Sequence, residues 1–168
     1  MSQAGITCGP TLGTTWVYEP NYKECKMKWV TREKAKVDRI ACPWLIKKFI
    51  DPEAEFLFVP AEQVLKISQQ QNAIPFDVPE VELGHHEDKC SFDAIIEKYK
   101  LNDKALWELA QIVRGADTRN QTLTLESAGL AAIAEGFRAM TKNDYDNISK
   151  QFYVYDALYE FCKMRVGK

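Results

Sequence analysis

The 168-residue sequence lacks any long apolar run, any excess of one charge and any Cys-x-x-Cys pair. No apolar stretch reaches the roughly 20 residues that a membrane helix needs. The N-terminus shows no basic region followed by an apolar run, so no signal peptide is expected. With 22 basic and 24 acidic side chains, the formal net charge is −2, which gives no global pull toward nucleic acid or an acidic membrane surface. The five cysteines, Cys8, Cys25, Cys42, Cys90 and Cys162, are odd in number and scattered. That argues against a secreted disulfide framework, a zinc ribbon or a thioredoxin-type centre. There is no glycine-rich phosphate loop, no Gly-x-Ser-x-Gly and no repeat beyond Gln69-Gln70-Gln71. These absences leave a soluble, reduced, cytoplasmic protein with neither a membrane nor a nucleic-acid partner expected.

At 46% hydrophobic and 27% charged residues, the chain has enough apolar material for one packed domain. Residues 1–26, broken by Gly5, Gly9, Pro10, Gly13 and Pro20, read as a flexible arm with a short strand at Thr15–Tyr18. Residues 27–168 read as the folded domain. Lys28–Thr31 has the pattern of a strand. Residues 37–50 carry apolar positions at helical spacing, with Pro43 either kinking the helix or marking its first turn. Glu55–Val59 is a second strand, so the first 30 ordered residues suit a βαβ unit with parallel strands. A helix over 61–70 and an extended edge segment over 73–79, limited by its two prolines, follow. From Ser91 onward only helices are expected. Their caps are Ser91, Asn102 and Thr124, with Gly115 ending the second. In the last helix, about 144–164, Ile148, Phe152, Tyr155, Tyr159, Cys162 and Val166 form one stripe for core packing or a helix–helix contact that could carry a homo-oligomer. The fold class is α+β, a small N-terminal βαβ-like sheet followed by a mostly helical half.

Both histidines lie side by side in Gly84-His85-His86-Glu87-Asp88-Lys89-Cys90-Ser91-Phe92-Asp93. Imidazole, thiolate and carboxylate are the ligands that zinc, iron and manganese take. Adjacent side chains on an extended segment diverge, so at most one histidine faces a common site. Three other segments hold candidate groups. Arg39 stands near the start of the first helix, where a guanidinium fork and helix-start N–H groups suit an oxyanion, although Asp38 and Arg39 could equally be a surface pair. Ile112–Thr118 turns after a helix, offering Asp117 as a ligand or base and Arg114 as an anion contact. Asp156 sits in a very apolar helix and should be paired or ligating if buried.

Together these segments resemble one family. Trp29-Val30-Thr31-Arg32, the block Val37 to Ile46, Phe49 to Phe56, His85 to Asp93, Ile112 to Thr118 and Tyr155 to Tyr159 are similar to the chromate-resistance family, the domain at the C-terminal end of ChrB-type proteins. The likeness covers about residues 27–165. It implies a place in bacterial chromate tolerance, whose larger members are described as chromate-responsive regulators. The family pattern has one histidine, where His85 stands. The expected metal set is therefore His85, Asp117, Asp156 and Cys90, holding a divalent transition metal (zinc, iron or manganese). Arg32, Arg39 and Arg114 are the expected contacts for a small inorganic oxyanion. Two functions follow. One is a metal-binding protein or metal-dependent enzyme that binds or acts on an oxyanion. The other is an oxyanion sensor without catalysis.

Overall fold

A computed structural model describes residues 26–118 and 122–167. The arm expected over 1–26, with its Thr15–Tyr18 strand, lies almost wholly outside the described residues. Three parallel strands, β1 (Lys28–Arg32), β2 (Glu55–Val59) and β3 (Ile74–Pro75), form a sheet in the order β2-β1-β3. β1 and β2 pair in register from Lys28–Glu55 to Arg32–Val59, and β3 pairs at Trp29–Ile74 and Val30–Pro75. The strand with the proline is the short edge strand, since proline has no N–H for a ladder. Alternation of side chains sends Trp29 to one face and Val30 to the other. Trp29 joins the main core beneath α1 (Asp38–Phe49). Val30 joins a smaller cluster with Val64, Ala73 and Val78 against α2 (Val64–Gln71).

The remainder is helical, as expected: α3 (Ser91–Lys98), α4 (Lys104–Asp117), α5 (Ser127–Met140) and α6 (Asp144–Val166). Most of the α6 stripe faces inward: α6 packs along α1 and α4 and buries Ile148, Tyr155, Tyr159 and Cys162, while Val166 stays exposed. The same helix fastens the β1–α1 connection. The Asp144 carboxylate accepts from the N–H groups of Lys34 (2.9 Å) and Ala35 (2.7 Å). The Tyr155 hydroxyl donates to the Val37 carbonyl at 2.9 Å, and the Asn147 amide to that of Ala35 at 3.1 Å. No helix among the described residues is long and apolar enough to cross a membrane.

Several helix ends differ from the expected ones. Pro43 lies inside α1, so the Arg39 carbonyl loses its donor one turn later. Ser91 is the first residue of α3 and Cys90 its cap, because the free N–H groups of Ser91 and Phe92 go to a carboxylate on another helix. Asp103, rather than Asn102, caps α4, accepting from Ala105 N at 2.8 Å. α5 starts three residues beyond Thr124, which instead bonds the Ser127 hydroxyl at 2.9 Å. Gly115 does not end α4. It lets α5 come close, since a Cβ there would stand 2.2 Å from Ser127 Oγ. The helix therefore continues two more residues and ends on Asp117.

Candidate metal centre

Three helix ends and the exit of β3 meet at one locus outside the carboxyl ends of the parallel strands, the usual place for a ligand in such a sheet. α1 begins there with Asp38, α3 begins with Ser91, and α4 ends with Asp117. The orphan N–H groups at the helix starts explain the convergence. Asp117 Oδ1 accepts from the backbone N–H of Asp38 at 3.3 Å. Asp38 in turn spans the start of α3, its Oδ2 accepting from Ser91 N at 2.7 Å and its Oδ1 from Phe92 N at 3.1 Å. Each carboxylate thus serves a helix far away in sequence, which locks the three segments together.

His85 points its Nε2 into this junction. It stands 3.1 Å from Asp77 Oδ1, 3.3 Å from Asp117 Oδ2 and 3.4 Å from Asp38 Oδ2. Asp38 and Asp77 are almost fully buried, at 1% and 4% side-chain exposure, whereas His85 is 41% exposed and opens to solvent. One imidazole nitrogen offers one proton, so it cannot satisfy three carboxylates. Hydrogen bonds to Asp117, Asp38 and Asp77 push the imidazole up to about 12. Burial, with the neighbouring Asp117 and Asp77 charges, raises Asp38 to about 6 against the lowering effect of His85. Three carboxylate oxygens and one imidazole nitrogen thus converge at the junction. The ligand atoms of Asp38, His85 and Asp117 lie within 4.8 Å of one another. Donors around a cation at about 2.1 Å stand about 3 to 4 Å apart, so a small inward adjustment would enclose one.

Asp77 also anchors the cationic side. Arg39 Nη1 donates to its Oδ2 at 2.9 Å and Arg32 Nη2 at 3.1 Å, while Arg32 Nε donates to its carbonyl at 3.0 Å. Burial pushes the Asp77 carboxyl up, but the His85 hydrogen bond and the two guanidiniums outweigh it and hold it below the usual range. The residue sits at φ 50°, a left-handed conformation that aspartate tolerates better than most side chains. A cavity of about 590 Å³ opens beside His85, lined by Arg32, Lys36, Arg39, Asp77, Asp117 and the apolar Val37, Val78, Pro79 and Ala116.

Of the seven residues singled out in the sequence, His85, Asp117, Arg32 and Arg39 come together here. The other three do not. Asp156 lies at the opposite end of α1, accepting from Trp44 Nε1 at 3.0 Å and paired with Lys48. Burial raises its carboxyl, but the Lys48 and Trp44 hydrogen bonds outweigh that and lower it. It is satisfied, and no ligand is needed to explain it. Cys90 is fully buried as the cap of α3, its N–H donating to Asp93 Oδ2 at 3.1 Å, and burial pushes its thiol well up. Arg114 forms a two-pronged pair with the fully buried Asp93 at 2.8 and 3.1 Å, so its guanidinium is committed to structure. His86 turns away, its Nε2 set 2.9 Å from the Glu82 carbonyl in the turn around Glu87.

Two residues of the site, Asp38 and Asp77, do not stand out in the sequence. Asp38 and Arg39 are not a surface pair: Asp38 is buried and Arg39 binds Asp77. An acidic residue at the start of an apolar helix was the available signal for Asp38. For Asp77 it was a lone aspartate between apolar residues and two prolines.

Comparison with known proteins agrees with the resemblance. The model of the ChrB C-terminal domain matches residues 29–162, and the chain belongs to that family. A curated relative, Protein ChrB of Cupriavidus metallidurans (strain CH34), is 35% identical over 133 residues, covering 79% of this chain. The chain spans about two-fifths of that protein, the match covering 40% of its length. No solved structure matches.

Proposed function

We propose that the chain is a metal-binding member of the chromate-resistance family, in which His85, Asp38 and Asp117 hold a divalent transition metal beside Asp77 and an oxyanion approaches it through the cavity. The observation that carries this reading is three carboxylates from three separate segments facing a single imidazole nitrogen. One nitrogen and several carboxylate oxygens favour manganese or iron, with zinc also tolerated, over a soft-ligand metal. A bound cation would supply Lewis acidity or, if redox-active, electron transfer. Arg32 and Arg39 stand on the open side of the same cluster and would orient the incoming anion.

The cavity wall carries Arg32, Lys36, Arg39 and a His85 held protonated, against Asp77, Glu80 and Asp117, with Asp38 behind them. Arg32 and Arg39 already share Asp77. A divalent cation at His85 would displace its proton and add positive charge beside the two guanidiniums. A second reading, oxyanion sensing without turnover, is favoured by the three helix ends at the site, because occupancy there is felt by α1, α3 and α4 together.

Thermal unfolding with added Mn²⁺, Fe²⁺ or Zn²⁺ tests the metal reading. At a free metal concentration one hundred times Kd, binding adds about 2.7 kcal/mol, which raises Tm by about 5 to 10 °C for a chain of this size. A chelator reverses it. Absence of a shift with all three metals contradicts the proposal.

A further inference from the structure

We infer that the cavity is shaped for an organic anion, an oxyanion head carried on a carbon body, and not for a bare inorganic oxyanion. The inference rests on the proposed reading in one respect, that the head approaches a cation held at His85. A tetrahedral oxyanion has five heavy atoms and takes up on the order of 60 to 90 Å³, two to three times a water's share of about 30 Å³. The cavity beside His85 is about 590 Å³, within the roughly 300–1,000 Å³ range of sites that enclose organic ligands. It adjoins a second cavity of about 280 Å³, the two sharing Lys36, Val37 and Ala116 as lining.

The chemistry changes from one cavity to the next. Arg32, Arg39, Asp77, His85 and Asp117 line only the first. The shared boundary is Val37, Ala116 and Lys36, whose ammonium is engaged by Glu135 across the second cavity. Past that boundary α5 presents Ala128, Ala131 and Ala132, with Glu135, occupied by Lys36, as its one charged group. Chromate or sulfate would occupy the charged end and leave the rest of the space wet. A phosphonate, phosphate monoester or sulfonate with an aliphatic or aromatic body uses both: its head meets the guanidiniums and the cation, and its body covers Val37, Ala116 and the alanines of α5.

The test compares methylphosphonate with phenylphosphonate, which share a head and differ in body, by titration calorimetry on the full chain loaded with Mn²⁺. Metal content is measured on the same samples. Phenylphosphonate is expected to bind at least tenfold more tightly. Ala132→Phe, an exposed position that fills the second cavity, should bring the ratio toward one while methylphosphonate binding and metal content stay unchanged. Ala128→Leu is the second variant should Ala132→Phe fold poorly. Equal affinities in the unsubstituted chain, no binding of either anion, or a ratio that survives both substitutions overturns the inference. If the tenfold ratio holds in samples that retain no metal, the ligand class stands and the metal reading falls. If metal is retained and the ratio is one, the metal reading stands and the ligand class falls.

Discussion

The two ends of α1 place carboxylates in very different company. At the C-terminal end, Asp156 has an ammonium from Lys48 and an indole N–H from Trp44, with Phe49, Phe92, Tyr155 and Tyr159 packed about the Trp44 ring. At the N-terminal end, Asp38, Asp77 and Asp117 crowd one imidazole that has a single proton to share. Both regions combine acidic groups with a packed interior, but only the second brings three carboxylates onto one ring nitrogen. A satisfied carboxylate in an apolar helix is a structural device. A group of carboxylates converging on one ring nitrogen is where we place the proposed metal.

Substitutions on the satisfied side should cost stability, and those at the site should cost ligand binding. The largest effect is expected for Arg114→Ala, which strips the buried Asp93 of its cationic partner. An uncompensated buried charge costs about 3–5 kcal/mol, so chemical denaturation should show a loss of that order. A loss below about 1 kcal/mol would mean that the Asp93–Arg114 pair behaves like an exposed one. Gly115→Ala comes next and links the two sides. Its methyl group overlaps Ser127, and overpacking costs about 1–3 kcal/mol. Because Asp117 lies two residues further along α4, metal affinity should fall along with Tm, and an unchanged affinity would uncouple the helix end from the site. Asp156→Asn is smaller, at most about 1 kcal/mol for a half-exposed pair, and should leave metal affinity untouched. Its sign with pH follows from the lowered carboxyl: the contribution is present above the ordinary value of 3.8 and fades as pH falls through the lowered one. Smallest is a kinetic contrast among thiols. Burial pushes Cys42 and Cys90 well up, so neither should be alkylated at neutral pH until the chain unfolds, as peptide mass spectrometry would report. Rapid native labelling of Cys90 would contradict its place as a buried cap.

Much of the frame was legible in the residues. The β1-α1-β2 unit follows from local apolar spacing, and His85 and Asp117 stand out as polar groups at a helix entry and on the turn after a helix. What local patterns could not give were the long-range caps. Asp38 reads as half of a surface dipeptide until α3, 53 residues further on, supplies two N–H groups. Asp77 is hidden in an edge segment until Arg32 and Arg39 close on it. Asp156 draws notice for sound reasons, an acid among apolar residues, yet its partners Trp44 and Lys48 lie 112 and 108 positions away. Gly115 reads as a helix stop in isolation, and only the approach of Ser127 shows that it is a packing residue.

The contrast between the two ends of α1 is tested most directly by metal stoichiometry. The chain, His85→Ala, Asp117→Asn and Asp156→Asn are each loaded with Mn²⁺, desalted and analysed by inductively coupled plasma mass spectrometry. The account predicts about one metal per chain in the unsubstituted protein and in Asp156→Asn, and less than about a tenth of that in His85→Ala and Asp117→Asn. A chain that retains no Mn²⁺, Fe²⁺ or Zn²⁺, or a His85→Ala variant that holds as much metal as the parent, would contradict it.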